Sequence, residues 1–142
     1  MTLGEVCAVK IIGIGTDMIS IDRIKKSLSK SADTFKNKIY TPHEIAYCDA
    51  KKAVSVGSYA KRWAAKEACA KALGTGIAHG VTWHDIEVQN DEKGAPVLVL
   101  SGGALERLNN LLPSGTTADI HLSLCDDDPW AQATVLISAY RS

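Results

Sequence analysis

The sequence predicts an α+β domain, helices concentrated in its first half and a mostly antiparallel sheet, packed with helices, in its second. Three observations carry this. The 142 residues suit one domain that buries roughly two-thirds of its unfolded surface, enough for a core without metal or disulfide staples. Helix-start and helix-stop signals recur up to Gly74, and beyond Trp83 the apolar period changes to alternation. No repeat, linker or low-complexity tract interrupts the chain, so residues 1–142 are expected to form a single domain.

"VKIIGIGTDMI", Val9 to Ile19, reads as a buried β-rich strand that stops at Gly15-Thr16-Asp17, leaving Asp17 at a strand end. It runs into a helix containing "SIDRIKKSLSK". In "TPHEIAYCDA" a second helix starts, with Thr41 as N-cap, Pro42 at the first position and Glu44 in the first turn. A third begins near Ser58 and stops at Gly74. "WHDIEVQNDEKGAPVLVL" alternates and is broken at Asn90 to Gly94, which predicts a hairpin with Ile86 and Val88 on one strand and Val97 to Leu100 on the other. "ALERLNNLL" is a short amphipathic helix. "DIHLSLC" and "WAQATVLISAY" are two further strands with a turn at Asp126 to Pro129.

Composition excludes several function classes. Sixteen Lys and Arg balance sixteen Asp and Glu, so no global positive field exists to hold a nucleic acid, and an anion site must be a local cluster. Cys7, Cys48, Cys69 and Cys125 form no CxxC, which points to reduced, buried thiols in a cytoplasm rather than to zinc. No stretch approaches the roughly 20 apolar residues of a membrane span, and "MTLGEVCAVK" lacks a signal peptide's basic start and apolar centre. A soluble cytoplasmic protein is expected. "GIGTDM" and "GTGIAHG" both fail the GxGxxG spacing and no GxxxxGK[ST] exists, which removes Rossmann and P-loop readings. There is no GxSxG; His43 reads as a capping or surface residue and His84 as a strand residue.

What remains is "RWAAKEACAKALGTG", Arg62 to Gly76. Glu67 and Lys71 share a helix face, as a solvated ion pair would. The same helix carries Arg62 and Lys66 and ends in a glycine turn where backbone N–H groups can approach phosphate oxygens. Asp17 and Glu67 are the two carboxylates with context, and two oxygen ligands completed by substrate phosphate and water is a common way to hold Mg²⁺.

"GIGTDMISIDRI", "RWAAKEACAKALGTGI", "DIEV" with "KGAP", and "HLSL" with "WAQATVLI", in this order and at these separations, resemble the holo-[acyl-carrier-protein] synthase family of the 4′-phosphopantetheinyl transferase superfamily, from about Lys10 to about Ile137. The resemblance implies that superfamily's fold and a Mg²⁺-dependent transfer of 4′-phosphopantetheine from coenzyme A to a serine of apo-acyl carrier protein, giving adenosine 3′,5′-bisphosphate, in fatty acid biosynthesis. It implies Asp17 and Glu67 as metal ligands, Lys71 steadying phosphate, and Glu67 or a water on the metal taking the serine proton. Arg62 and Lys66 would meet nucleotide phosphates, and Gly74, Thr75 and Gly76 would line the groove. Arg23, Lys25, Lys26 and Lys30 would form a basic patch for the acidic carrier. A homotrimer is implied, one subunit giving the metal dyad and glycine turn and the next giving Gly94, Pro96 and the segment near Asp126. Two positions depart from the family: Ala95 replaces a common basic residue, and Asp126 stands where some members carry histidine near the 3′-phosphate. Residues 1–9 extend beyond the family's usual start. The alternatives are a transferase for polyketide or peptide-synthetase carriers, and a non-catalytic module binding coenzyme A or metal.

Overall fold

The computed structural model describes residues 9–141. Its order is β1 (Val9–Ser20), α1 (Ile21–Ile39), α2 (Pro42–Asp49), α3 (Ser55–Ala72), β2 (Ile86–Asn90), β3 (Pro96–Leu100), α4 (Gly102–Leu111), β4 (Thr117–Asp127) and β5 (Trp130–Tyr140). The fold is α+β. β1, β5 and β4 form one antiparallel sheet in that order, and β2 pairs with β3 in a separate hairpin.

The sequence reading of α2 and the hairpin agrees with the structure. Thr41 and Glu44 form a complete capping box with Pro42 in the first turn, and Ile86 and Val88 are buried on β2. Other boundaries move. β1 does not stop at Asp17: the ladder with β5 runs on through Asp17↔Ala133 to Ser20↔Trp130, so Asp17 is an interior strand residue. At its other end β1 begins at Val9, where the sequence reading starts it, with Val9 paired to Tyr140. Cys7 and the rest of residues 1–8 lie outside the described residues. α1 continues to Ile39 across a non-helical Ser31, burying Ile39 at its far end and bringing Phe35 edge-on to Tyr40 at 5.9 Å. α3 begins at Ser55, one turn before Ser58. His84 lies in a 3₁₀ turn, Trp83–Asp85, ahead of β2. Cys48 and Cys69 are buried as expected, whereas Cys125 is exposed on β4.

α3 is the centre of the molecule. It packs against β1, β5, α1, α2, β2 and β4, and it can do so because it is narrow: Ala60, Ala64, Ala65, Ala68, Ala70 and Ala72 are all buried. Against β1 the approach is closer still. A Cβ on Gly13 would collide with the carbonyl oxygen of Ala72, and one on Gly15 with that of Ala68. The glycines of "GIG" therefore serve a strand-on-helix contact, not a phosphate loop. Alternation then places Asp17, two residues beyond Gly15, on the same inner face of β1. The outer face is apolar and open, with Ile14 66% and Met18 56% exposed, so β1 is buried on one side only.

Candidate active site

Asp17 is brought to α3 by the glycine contact, and its carboxylate is 13% exposed. Lys71 Nζ donates to Asp17 Oδ1 at 2.9 Å and to the Thr16 carbonyl at 3.0 Å. Lys71 thus bonds across to β1, while it acts on Glu67 only through its charge. Asp17 Oδ2 is buried and has no hydrogen-bond partner. One turn before Lys71, Glu67 is half-buried on α3. Burial pushes its carboxyl above the ordinary glutamate range, the negative Asp17 pushes it further, and Lys71 pulls it back.

Two carboxylates, Glu67 raised by the negative Asp17 and Asp17 holding an orphaned oxygen, fit a divalent cation by charge and by donor type. Oxygen donors of this kind suit Mg²⁺. Among the described residues no group of three or more His, Cys, Asp and Glu is arranged to hold a metal, so this pair would leave coordination positions for water and substrate.

The helix ends just beyond. Gly74 and Gly76 have φ of +82° and +65°, the left-handed region that favours glycine. The amides of Thr75 and Gly76 both return to the Ala70 carbonyl, which closes the turn. Arg107 Nε on α4 donates to the Leu73 carbonyl at 2.9 Å and holds this terminus.

Arg62 faces elsewhere. Five residues before Glu67, it is turned about 140° around α3 and set back about 7.5 Å along it. It is 3% exposed, lies over the Tyr47 ring at 4.1 Å and reaches Asn90 Oδ1 at 3.4 Å. With Tyr47, Lys61, Asn90, Gly94, Pro96 and Leu124 it lines a groove of about 170 Å³. Beside this groove Asp126 pairs with Lys61 at 3.2 Å, so the departure at this position neutralises a cation.

Lys66 is a correction. It is fully buried and paired with the equally buried Glu44 at 2.7 Å. Its ammonium also donates to the Trp83 and Ile86 carbonyls at 2.9 and 2.6 Å. All three of its N–H bonds are thereby used inside the protein, and it has no surface to offer a phosphate. Burial holds its pKa below the ordinary lysine value, against the upward pull of Glu44.

The site residues therefore fall into two sets in one chain. Asp17, Glu67, Lys71 and the glycine turn stand at the C-terminal half of α3; Arg62, Gly94 and Pro96 stand together at its N-terminal half. Arg23, Lys25 and Lys26 are exposed on α1, and Lys26 pairs with Asp22 at 3.0 Å. Sequence reasoning missed Glu44, Tyr47, Lys61 and Asn90 as members of the site's framework. Glu44 was visible only as a helix cap, although a glutamate in a capping box has a second oxygen to place.

A family model described as the 4′-phosphopantetheinyl transferase superfamily matches residues 13–128. The chain is also 52% identical over 129 residues to the holo-[acyl-carrier-protein] synthase of Cereibacter sphaeroides, across 91% of this chain and 93% of that protein. The chain belongs to the holo-[acyl-carrier-protein] synthase family. It is accordingly a transferase of the superfamily. Among solved structures of the family, the Bacillus anthracis enzyme in complex with CoA (3′,5′-ADP) is 35% identical with a TM-score of 0.72, covering 95% of this chain and 100% of that one. The Neisseria meningitidis enzyme is 34% identical with a TM-score of 0.76, covering 90% and 98%. No described helix is long and apolar enough to cross a membrane.

Proposed function

We propose that this chain transfers the 4′-phosphopantetheine group of coenzyme A to a serine hydroxyl of apo-acyl carrier protein, with Mg²⁺, releasing adenosine 3′,5′-bisphosphate in the fatty acid biosynthesis of the cytoplasm. The observation that carries the reading is the Asp17–Glu67 pair with its orphaned Asp17 oxygen. In the reaction the serine oxygen bonds to the phosphorus that carries pantetheine, the pyrophosphate P–O bond breaks, and the bisphosphate departs.

Asp17 Oδ2 and Glu67 would hold the metal, which when bound neutralises the pyrophosphate so that an alcohol can attack it. Glu67, half-buried beside Asp17 and Lys71, would take the serine proton. Lys71 is half-exposed and bonded to the strand that carries Asp17, a position from which its charge steadies the departing phosphate. The glycine turn lets backbone approach the cofactor, and Arg62 with the hairpin receives the nucleotide. On α1 the exposed Arg23, Lys25 and Lys26 suit an acidic carrier surface.

The working unit we infer is a homotrimer with sites between subunits. Two things support it: the two sets of site residues face apart on α3, and the outer face of the three-stranded sheet leaves Ile11, Ile14, Met18 and Trp130 uncovered. An Asp17→Ala chain mixed with one carrying bulky substitutions at Gly94 and Pro96 should then regain part of the activity; a fully active monomer by light scattering refutes the shared site. For the reaction itself, apo-carrier protein incubated with this chain, coenzyme A and Mg²⁺ should gain the mass of one phosphopantetheine. Binding of coenzyme A with no gain in mass refutes it in favour of a non-catalytic module.

A further inference from the structure

The Glu44–Lys66 pair, with all three lysine donors and both carboxylate oxygens engaged, ties four segments together. Glu44 Oε1 accepts from Lys66 Nζ at 2.7 Å and from the Thr41 amide at 2.9 Å, and Oε2 accepts from the Val88 amide at 2.8 Å. Lys66 completes its set on the carbonyls of Trp83 and Ile86. One charge pair thus joins α2, α3, the 3₁₀ turn and the start of β2. Burying it is costly, and removing either partner strands the other.

The same elements form walls of the groove, one step further on. Arg62 lies one helical turn from Lys66 on α3. Tyr47 follows Glu44 by three residues on α2, again a neighbour on one helix face. Asn90 follows Val88 by two on β2, so the strand that Glu44 holds by the Val88 amide leads directly into it. The pair and the groove are therefore adjacent layers of one assembly, with the pair buried beneath and Tyr47, Arg62 and Asn90 above it.

We propose that Glu44 and Lys66 are positioning residues that set the spacing of the Tyr47, Arg62 and hairpin walls, so that Lys66 governs coenzyme A affinity without touching the cofactor. This rests on the groove's nucleotide role under the proposed function. Glu44→Gln keeps the shape but turns one accepting oxygen into a donor that faces either Lys66 or the Val88 amide. Lys66→Met keeps most of the length and frees two carbonyls. Each should raise the KM for coenzyme A about tenfold and leave kcat at saturating coenzyme A within about twofold. The double variant should cost little more than the worse single one, because both act through one unit. The reversed pair, Glu44→Lys with Lys66→Glu, should not rescue: the Lys66 end meets carbonyls and the Glu44 end meets amides.

Steady-state kinetics with coenzyme A and calorimetric titration of coenzyme A decide the matter. If Lys66→Met fails to fold, Glu44→Gln alone decides, with amide exchange at Val88 expected to quicken as KM rises. A direct phosphate ligand would behave differently: Glu44→Gln would free the ammonium and tighten coenzyme A binding, which overturns the proposal. A fall in kcat at unchanged KM overturns it too, as does rescue by the reversed pair. An unmodified protein that binds no coenzyme A overturns the nucleotide reading and the proposal with it, whereas variants indistinguishable from an active unmodified protein overturn the positioning alone.

Discussion

Gly15→Ala tests the contact on which the dyad depends. The added Cβ falls on the Ala68 carbonyl oxygen, well inside the 3.0 Å that real Cβ atoms keep, and the atom it meets is backbone within a helix, which cannot swing aside. Strand and helix must part, and a parting of about 1 Å is enough to cost about 10²-fold in rate when it separates groups that act together. Overpacking of this kind costs about 1–3 kcal/mol. At about 2–4 °C per kcal/mol for a chain of this size, Tm should fall by about 2–12 °C. Gly57→Ala is the control. There the new Cβ meets only the end of the Asp126 side chain at 3.0 Å, within a helix that favours alanine, so stability should hold or rise by about 0.4–1 kcal/mol. Carrier-protein modification followed by mass spectrometry, with melting by circular dichroism, measures both. A Gly15→Ala protein with unchanged Tm and full kcat would show that Asp17 and Glu67 do not depend on this contact for their separation.

Other outcomes follow from the same structure. Asp17→Ala or Glu67→Ala should lower turnover by at least ~10²-fold with the fold intact, measured under saturating Mg²⁺; retained turnover removes them from the site. Arg23→Glu should raise the KM for carrier protein, less so as salt is added, and leave coenzyme A binding unchanged in a titration. Asp49 is held below the ordinary aspartate range, chiefly by the Tyr59 hydroxyl that donates to it at 2.6 Å and then by Lys36. Its contribution to stability is therefore complete above the unfolded aspartate pKa and is lost as pH falls through the lowered folded value. The gap in denaturant midpoint between the unmodified protein and Asp49→Asn should close over that acid range; a gap that is constant with pH refutes it.

Local signals were legible in the sequence, and non-local ones were not. The capping box of α2, the hairpin and the glycine stop of α3 each lie within a few residues and could be read directly. Asp17 and Glu67 lie 50 residues apart, and only the resemblance joined them; in the structure it is Gly13 and Gly15, read first as a failed phosphate loop, that make their meeting possible. Lys66 was misread because its partners, Glu44, Trp83 and Ile86, are 17 to 22 residues away. A signal did exist. In "AAKEACAKA" Lys66 is flanked at i+3 and i+4 by Cys69 and Ala70, away from the side shared by Glu67 and Lys71, and a lysine on such an apolar face needs an internal acid. The end of β1 was misplaced for a related reason: strand length was set by β5, more than 100 residues later.

The two sides of α3 differ in what their order costs. Against β1 the contact is made by glycine and alanine, which have no rotamers to lose, so the fit there forfeits only backbone freedom. Against β2 it is made by Lys66, whose immobilisation forfeits about 2 kcal/mol of side-chain entropy and is offset by three hydrogen bonds. Warming raises both costs in proportion, and the glycines of β1 have the most backbone freedom to lose, so neither side yields first on entropy alone. What separates them is how each can fail: the β2 side hangs on one ammonium that a single substitution removes, whereas the β1 side is close backbone packing that only an added side chain disturbs.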